Sequence, residues 1–78
     1  MRTEYATFSF VDDDERDPTT QERDMMRLLA AGLNAESVAR QLSISERTLR
    51  RRMRYLCVRF GVNSPMEAIV TAVRRGWI

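Results

Sequence analysis

Six of the chain's thirteen arginines fall within thirteen residues, at Arg47, Arg50, Arg51, Arg52, Arg54 and Arg59, with Glu46 as the one carboxylate beside them. The sequence has no histidine and a single cysteine, Cys57. Zinc-ligand spacings, Ser-His and Cys-His nucleophile pairs and an internal disulfide are therefore excluded. Cys57 and the carboxylates Asp12, Asp13 and Asp14 are the remaining candidates for nucleophilic, acid–base or metal chemistry, but no histidine accompanies either, and only more carboxylates, Glu15 and Asp17, stand beside the aspartates. No enzyme activity, metal or cofactor is expected. A dense guanidinium block does different work. On a helix, like charges at i, i+3 and i, i+4 repel by a few tenths of a kcal/mol per pair, and a polyanion resolves that repulsion.

Charge is divided along the chain. Residues 1–18 carry two arginines against six carboxylates, a net −4, and residues 19–78 carry eleven against five, a net +6. The boundary falls at Pro18. The stretch Tyr5-Ala6-Thr7-Phe8-Ser9-Phe10-Val11 is rich in β-formers and runs into an acidic cluster, so residues 1–18 are expected to be a short extended or disordered acidic N-terminal segment or linker. Its charge could lie across the arginine face, in which case deleting residues 1–17 would raise non-specific affinity at low salt. Residues 19–78 are the expected domain. At 78 residues and 44% hydrophobic content there is room for one small globular domain. A chain this short buries only about 60% of its unfolded surface, which makes a partner subunit the expected support. No apolar run approaches the roughly 18 residues of a spanning helix, and the start lacks a signal-peptide layout, so no membrane association and a cytoplasmic location are expected.

Four helices must position the arginines, making the fold class all-α. Thr19-x-x-Glu22 fits a capping box, and Met25, Met26, Leu28, Leu29 and Ala30 give the first helix its apolar stripe, with Gly32 at a left-handed end. Asn34 caps a short second helix carrying Val38, Ala39 and Leu42 on one face. Ser43-Ile44-Ser45 makes a tight turn, and Ser45 caps a third helix over about residues 46–60, closed by Gly61. Ser64-Pro65-x-Glu67 combines a capping box with proline at the first helical position, and starts a fourth helix that stops at Gly76. Small Ala39, apolar Ile44 and Leu49 closing back on them follow helix-turn-helix logic.

On the third helix, at about 100° per residue with Leu49 at zero, Met53, Leu56, Cys57 and Phe60 all lie within roughly 80° of it. That face meets the core. Arg50, Arg54, Arg47 and Arg51 fall at about 100°, 140°, 160° and 200°, on the outward side. An α-helix fits the DNA major groove, where Arg bonds the two acceptors of a guanine edge and its neighbours clamp phosphates. Thr48 suits a phosphate contact. Arg52 borders the core and is expected to reach a backbone phosphate or to pack by its stem. On the fourth helix the apolar surface covers about 200°, wider than a core-facing stripe. With Ala68, Ile69 and Ala72 packed inward, Met66, Val70 and Val73 are left toward solvent as a candidate two-fold contact.

From Thr19 to Ile78 the chain resembles the LuxR-type, or GerE-type, DNA-binding domain of bacterial transcription regulators. The matching residues are Thr19-x-x-Glu22-x-x-x-Met26-x-Leu28-Leu29-Ala30-x-Gly32, Val38-Ala39-x-x-Leu42-x-Ile44-Ser45-x-x-Thr48-Leu49, Phe60-Gly61-Val62, Glu67-Ala68 and the ending Arg75-Gly76-Trp77-Ile78. The resemblance implies sequence-specific binding of double-stranded DNA to regulate transcription, with the third helix in the major groove and the fourth commonly forming a dimer on paired half-sites. By position it implies base contacts at Arg50, Arg51 and Arg54, and backbone contacts at Ser45 and Thr48, with Asn34 as a further phosphate contact. Arg47 and Arg52 join the backbone set from the helical wheel. It also implies a bacterial cytoplasmic location, at the nucleoid, and a domain that ends naturally at Ile78. A sensing domain in a longer parent chain is compatible with it, as is a stand-alone regulator. The chain departs from the family at three positions: Arg52, where His is common; Pro65, where Arg or another polar residue is common; and Pro18, where an apolar residue usually precedes the cap. Two rival readings compete: a promoter-reading helix-turn-helix region of a sigma factor, which would not share the ending of the fourth helix, and a protein-interaction module using the basic face, whose binding would be insensitive to duplex DNA.

Overall fold

The computed structural model describes residues 17–78, which form four helices and no strand: α1 (Thr20–Ala30), α2 (Ala35–Gln41), α3 (Glu46–Phe60) and α4 (Pro65–Arg74). The extended or disordered segment expected at the N-terminus lies, up to residue 16, outside the described residues. Asp17 and Pro18 already belong to the packed unit. Pro18 is buried, and the Asp17 carbonyl accepts a 2.9 Å hydrogen bond from Arg59 Nη2.

Each helix starts on a side-chain cap at the expected residue. Thr19, Asn34, Ser45 and Ser64 accept from the N–H groups of Glu22, Ser37, Thr48 and Glu67 at 3.1, 2.9, 3.0 and 3.2 Å. These bonds satisfy donors that no helical carbonyl can reach. The capping box of α1 is complete, since Glu22 Oε1 accepts from the Thr19 N–H at 2.8 Å. That of α4 is not, which corrects the sequence-based expectation. Ser64 has φ −150°, against −70° to −80° at the other three caps. Its N–H therefore points in a different direction relative to the helix, and Glu67 Oε1 accepts instead from the Asn63 N–H at 2.6 Å.

All four helices end in the same way. The N–H groups of Leu33, Ile44, Val62 and Trp77 reach back five residues to the carbonyls of Leu28, Ala39, Cys57 and Ala72 at 3.2, 3.0, 2.9 and 2.8 Å. In front of each is a left-handed residue, Gly32, Ser43, Gly61 or Gly76, as this closing motif requires. Ser43, at φ +58°, is the exception in residue type, and it sits in the turn between α2 and α3. A Cβ in that conformation costs roughly 1–2 kcal/mol. The residue after each left-handed position is apolar, and Leu33, Ile44, Val62 and Trp77 all pack against the core.

That core joins all four helices. Met25, Met26, Val38, Leu49, Leu56, Ala68 and Ala72 are almost completely buried, with Ala39, Met53 and Cys57 close behind. Ala30, expected in the α1 stripe, is exposed instead, while Leu28 and Leu29 are half-buried. The α4 helix packs on α3 and α1, and α2 packs on α1 and α3. Small Ala68 and Ala72 lie at the α4 contact, as the sequence predicts, and permit close approach. Trp77 stacks obliquely on Phe60, their centroids 5.1 Å apart, and tethers the end of the chain to the end of α3.

Candidate nucleic-acid interface

The inner face of α3 holds the outer one in place. Leu49, Met53, Leu56 and Cys57 are buried, which fixes the rotation of the helix. Arg47, Arg50, Arg51 and Arg54 are consequently all exposed on its other side. Arg50 is held by Glu46 one turn earlier, at 2.8 Å. Arg50 is largely and Glu46 partly exposed, so the pair contributes little to stability and opens readily to a competing anion. Arg47, Arg51 and Arg54 have no ion-pair partner among the described residues.

The other two clustered arginines are used internally. Arg59 Nη1 bonds both carboxylate oxygens of Glu22, at 3.0 and 2.8 Å, in a pair that is mostly removed from water. It therefore clamps the end of α3 to the start of α1. Half-buried Arg52 donates through Nη1 to Gln21 Oε1 of α1. The sequence left phosphate contact or packing by the stem open for Arg52 and did not anticipate this bond from its guanidinium, which a phosphate contact would require it to release.

At the N-termini of α2 and α3 the polar side chains keep donors that no group among the described residues uses. Ser45 Oγ accepts from the Thr48 N–H and donates to Thr48 Oγ1, both at 3.0 Å. With its oxygen accepting, the Thr48 hydroxyl keeps its own proton for an outside acceptor. Asn34 uses Oδ1 as the α2 cap, which leaves its amide N–H groups to donate outward. The α3 dipole adds partial positive charge at the same end.

Two exposed apolar side chains on α3 were not expected from sequence. Tyr55 and Val58 are 69% and 75% exposed, and Val58 continues the line of Arg47, Arg51 and Arg54. The helical wheel contains the signal, since both residues fall outside the core arc. On α4, Met66, Val70 and Val73 are also exposed. Cys57 is a slow nucleophile: burial first, then the charge of Glu67, raises its pKa and keeps the thiol protonated at neutral pH. Among the described residues no cluster of potential metal ligands occurs, and no helix is long and apolar enough to cross a membrane.

Comparison with known proteins agrees with this geometry. Residues 19–72 match the family model described as bacterial regulatory proteins, luxR family. The chain is also 33% identical over 58 residues, 74% of its length, to proteins of Mycobacterium bovis and Mycobacterium tuberculosis named as candidate HTH-type transcriptional regulators. The same identity and coverage relate it to the transcriptional regulatory protein YdfI of Bacillus subtilis. The matched region spans only 7% of each mycobacterial protein and 27% of the Bacillus one. No solved structure matches the chain.

Proposed function

The chain belongs to the luxR family of bacterial regulatory proteins, and from that premise we propose that residues 19–78 bind double-stranded DNA sequence-specifically to regulate transcription. The observation that carries this reading is the exposure of Arg47, Arg50, Arg51 and Arg54 together on one side of a helix whose opposite side is buried. In the proposed complex α3 enters the major groove. Arg50, Arg51 and Arg54 read base edges, while Arg47, Thr48, Ser45 and Asn34 hold phosphates. Arg52 joins them when it leaves Gln21. The exposed Met66, Val70 and Val73 of α4 pair two copies about a two-fold axis, so that two α3 helices meet half-sites about one DNA turn apart. This contact is small, and dimerisation occurs on DNA rather than in free solution. The site of action is the bacterial nucleoid. In a longer protein, such as the relatives named as transcriptional regulators, other domains supply the input.

Titration of labelled duplexes over a range of salt concentrations tests this reading. Arg50→Ala or Arg51→Ala should cost about 1–3 kcal/mol at the preferred sequence and relax the preference there. Unchanged duplex affinity in a variant with Arg50, Arg51 and Arg54 all replaced by Ala would refute the assignment of α3.

A further inference from the structure

Beside the arginine face lies a cleft of about 390 Å³ whose apolar lining takes no part in the proposed DNA contacts. Leu29, Ala35, Leu49, Met53, Cys57 and Pro65, drawn from all four helices, line it together with the exposed Arg50 and Arg54. An apolar cleft open to water calls for an apolar occupant, and two guanidinium groups beside it favour one that carries negative charge. Arg54 has no ion-pair partner among the described residues. The sequence contains a segment with both properties. Tyr5, Phe8, Phe10 and Val11 are followed at once by Asp12, Asp13, Asp14 and Glu15.

We propose that this cleft is the docking site of the chain's own residues 5–15, with Phe8 and Phe10 in the cleft and the carboxylates over the arginines of α3. The connection is long enough. Asp17 is fixed beside Arg59, near the start of α1, while the cleft opens on the other flank of α3 at Met53 and Cys57, near the end of α1 at Leu29. Half the circumference of a helix about 10–12 Å across is roughly 17 Å. From Asp17 back to Phe10 is seven residues, which reach about 23–25 Å when extended. The other way round is closed by the packed core, so the segment must cross the outward face of α3. That path passes over Tyr55 and Val58, the two apolar side chains that α3 leaves exposed, and brings residues 12–15 over Arg51 and Arg54. One segment thus accounts for the cleft, for both exposed side chains and for the charge division between residues 1–18 and 19–78. While docked it competes with a DNA phosphate for the same guanidinium groups. That competition rests on the DNA reading above, whereas the docking itself does not.

Cys57 is the only cysteine in the chain and lines the cleft, so its alkylation by iodoacetamide in the full chain reports occupancy without DNA. A Phe8→Ser, Phe10→Ser double variant should be alkylated several-fold faster than wild type. The NMR methyl signal of Met53 should move in the same variant, with those of core Met25 and Met26 unchanged. It should also bind duplex DNA several-fold more tightly at low salt, as should Asp12→Asn, Asp13→Asn, Asp14→Asn. Equal alkylation rates and an unmoved Met53 signal would overturn the docking. Protection of Cys57 that grows with protein concentration would also overturn it, because the occupant would then be a second copy's segment. So would an unprotected wild-type Cys57 that added decanoate shields, which would make the site one for free anionic amphiphiles. Faster alkylation with unchanged duplex affinity would uphold the docking and overturn the competition with DNA, whereas faster alkylation with no duplex binding by either protein would uphold the docking and overturn the DNA reading.

Discussion

Glu22 shows how a single carboxylate sets an internally bound arginine apart from the exposed ones. It accepts from the Thr19 N–H to cap α1 and from Arg59 to tie α3 to it. Hydrogen bonds to charged groups are worth about 1.5–3 kcal/mol each when shielded from water, and Glu22→Ala removes both contacts. It should lower stability by about 2–3 kcal/mol in thermal denaturation. Arg59→Ala should likewise destabilise the fold while leaving the salt dependence of duplex binding unchanged. Arg47→Ala, exposed and without an ion-pair partner among the described residues, should do the reverse. Its melting temperature should stay within error, and the slope of log K against log salt should become shallower by about one. Thermal denaturation and salt titration of the two variants side by side check both halves. A salt slope that changed for Arg59→Ala and not for Arg47→Ala would invert the assignment.

Among the elements, the turn between α2 and α3 sets the angle between these two helices, and Ser43 is its strained residue. Ser43→Val should cost about 1–2 kcal/mol, because a β-branched side chain tolerates positive φ poorly. Ser43→Gly should be neutral or slightly stabilising, since relief of the strain is offset by the flexibility of glycine in the unfolded chain. Chemical denaturation of both variants measures the difference. This turn also marks how far the sequence was legible. Caps and helix ends depend on three or four neighbouring residues, so Thr19, Asn34, Ser45, Gly61 and Gly76 could be placed from local pattern alone. The buried face of α3 followed from its periodicity in the same way. The left-handed Ser43 did not, because serine carries no strong preference for that conformation and only the demand of the closing motif, with Ile44 driven into the core, imposes it. The diversion of Glu67 to Asn63 turned on one φ angle at Ser64, which composition does not encode. At the candidate site the outward position of Arg47, Arg50, Arg51 and Arg54 was readable from the wheel. The commitment of Arg59 to Glu22 was not, since the two residues are 37 apart in sequence and meet only once α1 packs on α3.

At the scale of the whole molecule, four short helices share one small core, and α4 has apolar surface to spare. Val70, 40% exposed between Met66 and Val73, is the residue through which the proposed two-fold contact is tested. Val70→Asp should leave the fold intact and the affinity for a single half-site unchanged, while abolishing cooperative occupation of paired half-sites in a gel-shift titration. Cooperativity retained at wild-type thermal stability would rule out that contact. The central claim is that α3 reads DNA sequence through its outward arginines. Selection of bound duplexes from a random pool, carried out in parallel with the wild-type chain and with the Arg50→Ala, Arg51→Ala, Arg54→Ala variant, tests it most directly. The account predicts a guanine-containing motif enriched by the wild type and lost in the variant. No enrichment by the wild type, or the same motif enriched by both, would contradict it.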